Sequence, residues 1–426
     1  AFSPRTHTGA TNNKVYLGAR STNPVGVTAM VSTSSSPITI VADIVTQNTA
    51  QTSEFATTGA IVIRPLTNNF AATFNNTGMN MGTGASSITF GKDGNTGGIT
   101  VGQAITAGSI TLKGGVVTAS TAMLTNSIVP RAGPITVVAT SSYTQNSTAT
   151  TVLDSDILIT TDTVAFGSSA VAKVGLPAGA NLAAQNTAAV GAIEIKNFND
   201  ARAIRIGVAA TGFLSLNAAD LPKLQAKFLR IGSATAGAAT FNGNITRKTD
   251  ATGTTSEMKT LKVMSGSTVS SSAEIDVTNL AVQATGAITL NNPHTVSRLA
   301  LDSTASGSTA VAFEAKVNTT YTPATVDGVN PTFGTPTSFD LSNTPTSAPF
   351  AVFQNVVLSR SPQVKLKDAY GINLIATNTL STNYTVGVQA APKSDPTETG
   401  SLDGTVSATT AAGEATFNGI KFVSGL

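Results

Sequence analysis

The sequence predicts an all-β protein: a solenoid of stacked parallel strands, then an antiparallel sandwich. Three observations carry this. The chain is built of small side chains, with 42.9 kDa spread over 426 residues. Short apolar–polar–apolar triplets follow Gly or another small residue again and again, which is the pattern of a strand with one buried face. The order of those triplets changes near residue 318, where a Pro-rich stretch begins.

Composition narrows the field first. Charged residues are 11%, aromatic residues 5%, and Cys and Trp are absent, while the apolar share stays at 41%. Charge-rich disorder needs the opposite balance. A coiled coil needs Glu, Lys and Arg that this chain does not have. No apolar run approaches the eighteen residues of a spanning helix, and a disulfide framework or Cys-based metal site is impossible. The net charge of +3 is spread thin. Its densest basic run is the pair Arg247-Lys248, so no nucleic-acid face is expected. The chain opens at Ala1 without Met or a charged-then-apolar leader, which reads as a processed protein or a fragment.

Residues 1–58 fit neither strand pattern cleanly and are expected to be an N-terminal cap or assembly segment. The solenoid is expected over 59–317. Its triplets include Ile61-Val62-Ile63, Ile88-Thr89-Phe90, Ile99-Thr100-Val101, Ile110-Thr111-Leu112, Ile135-Thr136-Val137, Ile193-Glu194-Ile195 and Ile288-Thr289-Leu290. Ile88, Ile99 and Ile110 recur at a beat of eleven residues. Such strands cannot bury a face alone, but stacking gives them a continuous core. At about 20 residues per coil and about 4.8 Å per step, twelve or thirteen coils make a rod on the order of 60 Å long. A longer echo overlies the beat: Ile88-Thr89-Phe90-Gly91 against Leu229-Arg230-Ile231-Gly232. The one helical signal, Asn217 to Gln225, reads as a single capped turn.

Residues 318–349 carry Pro323, Pro331, Pro336, Pro345 and Pro349 and are expected to be a linker. Over 350–426 strands of alternating type recur about every ten residues, with Asp368-Ala369-Tyr370-Gly371 as a turn, which predicts an antiparallel sandwich.

Three passages resemble the filamentous haemagglutinin family of bacterial adhesins: Gly59 to Val101, Arg202 to Gly232, and Val277 to Asn292. The resemblance covers roughly residues 59–315. It implies a right-handed parallel β-helix, export to the cell surface or secretion in association with the outer membrane, and an adhesive or scaffolding role. It brings no catalytic residues. The segments Val364 to Gly371, Gly400 to Val406 and Gly413 to Ile420 resemble a bacterial Ig-like domain of the invasin and adhesin type. Such a domain implies one more strand beyond Leu426. Its open edge is a template for a donated strand, and Asn13 to Gly18 or Val25 to Val31 has the alternation of a donor. The function expected is therefore non-enzymatic: an adhesin stalk, or a subunit of an extracellular filament or layer. Its partners would be further copies of the chain and host or surface glycans.

The alternative is a polysaccharide-binding or polysaccharide-degrading β-helix protein. Its one acidic cluster is Asp154, Asp156 and Asp162, where Asp154 and Asp156 share a strand face and offer a Ca²⁺ pair or an acid and base. With no His, Lys or Arg near them in sequence, a polar strand start and turn is the expectation. Lys92-Asp93-Gly94-Asn95-Thr96-Gly97-Gly98 resembles a Gly-rich Ca²⁺ loop, but it stands alone, and a tight turn between coils is expected. His7 and His294 are the only histidines. His294, after Pro293, is expected to face solvent. Sequons at Asn75, Asn146, Asn244, Asn318 and Asn383 mark exposed polar turns before glycans. No catalytic, metal or cofactor residue is assigned.

Overall fold

The structure is a computed structural model. It describes residues 14–17, 28–31, 35–47, 52–125, 133–146, 150–153, 156–174, 192–246, 258–304, 311–316, 322–329, 338–342, 363–367, 385–387, 401–404, 407–409 and 414–424. The described residues are all-β, with one three-residue 3-10 turn at Leu221–Lys223 and no helix long and apolar enough to cross a membrane.

Most strands join one large parallel sheet system whose pairing is consistent with a β-helix. One column of register partners runs through its first face: Ile38, Ile61, Ile88, Ile110, Ile135, Ile157, Ile193, Leu229, Leu261, Leu280, Leu299 and Pro323. Those eleven steps, at about 4.8 Å each, make a stack about 50 Å long. Ten of the twelve, Ile61 to Leu299, are buried at 2% exposure or less, so each rung places one branched side chain on the rung below. The column continues inward through a single apolar cluster from Ile40 to Phe313. Phe74 joins this cluster with its ring stacked on Phe70 (5.3 Å) and edge-on to Phe90 (4.8 Å).

The neighbouring faces follow the same rule. The second holds Phe74–Asn75, Ile99–Val101, residues 117–119, residues 143–145 and Val164–Phe166. The third holds Ile105–Ala107, Met123–Thr125, Thr150–Leu153, Val171–Val174 and residues 224–225. The eleven-residue beat is thus half a coil. Ile88 stacks on Ile110, while Ile99, between them in sequence, lies on the second face and stacks on Val117. A coil takes 19 residues from Leu261 to Leu280 and 36 from Ile157 to Ile193.

The long echo has a backbone cause. Gly91 and Gly232 each end a first-face strand at positive φ, +83° and +87°. A Cβ on Gly91 would meet the Lys113 carbonyl of the next coil, and one on Gly232 the Met264 carbonyl. The chain leaves the strand there in a conformation open to Gly and too close to its neighbour for anything larger.

The coils extend into the stretch expected as a cap. Lys14–Leu17 pairs in parallel with Ile44–Gln47, Thr28–Val31 with Ser53–Ala56, and Ile38–Val41 with Ala60–Arg64. Both segments proposed as donors for another copy therefore pair within their own chain. The stretch expected as a linker gives Thr322–Pro323 to the solenoid and Ser338–Ser342 to an antiparallel sheet with Gln363–Lys367 and Glu414–Thr416. Thr385–Gly387 pairs antiparallel with Ser407–Thr409, and Ser401–Asp403 with Lys421–Ser424; Val364, Ala415, Phe417 and Ile420 are buried. The Lys421–Ser424 end is thus a paired strand. The turn expected at 368–371 lies outside the described residues.

Candidate functional site

Asp156 and Asp162 do not converge. Asp156 precedes the strand Ile157–Thr161 and Asp162 follows it, so about 20 Å of extended chain separates them. Each carboxylate is spent on backbone amides of the next coil. Asp156 Oδ1 accepts from Ala192 N at 2.8 Å. Asp162 Oδ1 accepts from Phe198 N (3.1 Å) and Asn199 N (2.8 Å), and its Oδ2 faces Arg202 Nε at 3.4 Å. These contacts pin the 197–203 turn onto the coil beneath it. Asp154 lies outside the described residues.

The Gly-rich loop is a turn between coils. Asn95 is buried, accepting from Phe70 N (3.2 Å) and Gly97 N (3.0 Å) through Oδ1 and donating Nδ2–H to Lys113 O (2.8 Å). One amide therefore fastens three coils. Among the described residues no three His, Asp or Glu gather as a metal site.

His294 is not solvent-facing. It is fully buried, with its ring 5.4 Å from Phe313. Nδ1 accepts from Ile275 N at 3.0 Å, so the neutral ring carries its proton on Nε2. Burial lowers its pKa to about 4, against the pull of Glu274. Glu274 is held low by its hydrogen bond with Lys316 (2.8 Å). Pro293 and His294 sit inside the long strand Ile288–Ser303, whose register with the next strand shifts between Leu290 and His294; the shift carries the imidazole inward. His7 lies outside the described residues. Asn75, Asn146 and Asn244 are exposed, as expected of polar turns. Asn318 and Asn383 are outside the described residues.

Two features had no counterpart in the sequence reading. The first is a clamp on the outer surface of the first face. Val326 and Val329 bond to each other in both directions (3.0 and 2.9 Å) around Asp327-Gly328, both at positive φ. This two-residue turn buries its valines against Ala281 and Ala300. Asp327 receives Arg230 Nε and Nη2 at 2.7 Å each, and Lys262 Nζ donates to its carbonyl at 3.1 Å. The Arg230 pKa is raised, chiefly by that hydrogen-bonded carboxylate.

The second is a cleft of about 560 Å³ lined by residues 163–166, Arg202, residues 209–212, Ser215, Asn217 and Asp220. It lies where the second face carries an extra strand. Leu214–Asn217 pairs with Ile204–Gly207, which pairs on with Ala239–Phe241, whereas Val164–Phe166 has no hydrogen-bonded partner strand on that side among the described residues. The first face steps through this region on Ala192–Lys196 alone. The return from Gly207 to Leu214 takes six residues, far fewer than a usual parallel crossover. It leaves Val208 exposed, and Arg205 stacks 4.5 Å over Phe213. The rim charges are internally paired, Arg202 with Asp162 and Lys223 with Asp220 (3.0 Å).

Compared with family models, with characterised proteins and with solved structures, the chain matches none.

Proposed function

We propose that this chain is a non-enzymatic structural protein of a bacterial cell surface, the stalk of an adhesin or a subunit of an extracellular filament or layer. In this reading the solenoid is a right-handed β-helix, the antiparallel strands beyond it form an Ig-like module, and copies associate through strand contacts. The observation that carries it is the unbroken first-face column from Ile38 to Pro323. A rod whose every rung repeats the same backbone pairing supplies length and stiffness at low sequence cost. Its outward columns begin as short uncharged rows, Thr89-Thr111-Thr136 and Thr100-Thr118-Thr144, and the first goes on through Leu158 to the charged Glu194, Arg230 and Lys262. Of the carboxylates that would serve a glycosidase, Asp156 and Asp162 are spent as backbone acceptors.

Immunogold labelling of intact source cells with antibody to the purified chain tests this, alongside light scattering of the chain itself. Label on the outer surface and concentration-dependent assembly are expected. Label confined to the cell interior overturns the reading, as does cleavage of a uronate polymer that is lost in Asp156→Ala.

A further inference from the structure

We infer that the cleft on the outer side of the second face binds a sugar acid, a ligand the size of one sugar ring that carries a carboxylate and several hydroxyls. The inference rests on the cleft alone and not on the stalk reading.

Its walls follow from the backbone. Ile204–Gly207 and Leu214–Asn217 are parallel neighbours, so the return that joins them crosses either the core or the outside. It crosses outside: Val208, Ala209, Thr211 and Gly212 are exposed. Ser215 Oγ donates to Ala210 O at 3.4 Å and ties the return over the outer side of its own strand. That return is one wall of the cleft, and exposed Ala165 leaves the floor low beside it. Arg202 stands before the first of the two strands, while Asn217 ends the second and Asp220 follows it. Because the strands are parallel, these residues mark opposite ends of the cleft, about 10 Å apart along three strand steps. Side chains reaching in from both ends leave room for one sugar ring.

The two ends suit different groups. At the far end Lys223 Nζ bridges Phe166 O (2.8 Å) and Asp220 Oδ1 (3.0 Å), and Asp220 N donates to Asn217 Oδ1 at 3.0 Å. These bonds fix both side chains and leave Asn217 Nδ2 and Asp220 Oδ2 without partners among the described residues. A free donor beside a free acceptor suits a hydroxyl, which accepts from one and donates to the other. At the near end Asp162 Oδ2 meets Arg202 at Nε, 3.4 Å away, and neither Nη makes a hydrogen bond among the described residues. A guanidinium with N–H groups to spare suits a carboxylate. The charges cancel in pairs, Arg202 with Asp162 and Lys223 with Asp220, so a bare anion gains little from the surrounding field. Carboxylate and hydroxyls are therefore needed together.

The test is calorimetric titration of the intact chain with D-glucuronate, with acetate and D-glucose supplying the carboxylate and the hydroxyls separately. Saturable binding of glucuronate is expected, with a Kd on the order of 1 mM for so small a ligand, and at least about tenfold weaker binding of acetate and of glucose. Arg202→Gln should weaken glucuronate binding at least about tenfold by removing the charge. Because Arg202 also holds its own turn, Ala165→Phe, a change at an exposed position that fills the floor, should do the same. The inference is overturned if glucuronate does not bind saturably, if acetate or glucose binds as tightly, or if either variant binds like the unaltered chain. An oligosaccharide ending in glucuronate separates the sources: tighter binding than the free acid assigns the ligand to the end of an acidic polysaccharide, and equal or weaker binding assigns it to the free acid.

Discussion

At the scale of single residues, the solenoid depends on positions where backbone, not side chain, makes the contact. Gly94 and Gly232 separate two costs of a left-handed glycine. Both have positive φ, but a Cβ on Gly94 meets open space and one on Gly232 meets the Met264 carbonyl. Gly94→Ala is expected to lose about 1 kcal/mol, the conformational cost alone. Gly232→Ala should lose about 2 to 4 kcal/mol, since the neighbouring coil has to move as well. Urea midpoints of the two variants check this, and equal losses would mean that the coils are not in contact there.

His294 gives the pH dependence. Its folded pKa of about 4 lies below the unfolded value of 6.5, so the unfolded chain binds the proton first. Stability is then full above pH 6.5 and falls as pH drops toward 4, by about 2 kcal/mol between pH 7 and pH 5. In His294→Asn the urea midpoint should be nearly flat over that window. The sequence placed this histidine outside because Pro293 reads as a turn. What the residues did not reveal is the register shift inside a sixteen-residue strand, which depends on the coil above it.

At the scale of elements, what was legible is what repeats. The strand triplets from Ile61 to Ile288 are strands in the structure, because alternation is a local property of the chain. Coil length was less so: turns that hold 3 residues between Val101 and Ile105 and 9 between Arg64 and Phe74 leave no fixed period. The Asp327 clamp had a visible signal, Val-Asp-Gly-Val, the dipeptide preferred in a two-residue hairpin, but it fell within a Pro-rich stretch read as a linker. Its partner Arg230 is 97 residues away, a distance no local pattern spans. Asp327→Asn keeps a residue tolerant of positive φ and removes the charge. It is expected to cost about 1.5 to 3 kcal/mol and to speed hydrogen exchange at Val326 and Val329. An unchanged midpoint with unchanged exchange would mean that the valines alone hold the turn. The cleft was illegible for the same reason, since an extra strand in one face is defined only by the absence of its counterpart in the others.

At the scale of the whole molecule, the account rests on which strands stack. Sequence spacing suggests that Thr89 and Thr100 are equivalent positions one beat apart; the structure makes Thr89 the neighbour of Thr111 on one face and Thr100 the neighbour of Thr118 on another. The chain has no cysteine of its own, so paired cysteines report on this without background. Register partners in adjacent parallel strands lie within disulfide reach, about 4.4 to 6.8 Å between Cα atoms. The decisive measurement is thiol counting after mild oxidation of two double variants. Thr89→Cys with Thr111→Cys should lose both thiols in the monomer, while Thr89→Cys with Thr100→Cys should keep them; closure of the second pair, or failure of the first, would contradict the stacked-coil architecture.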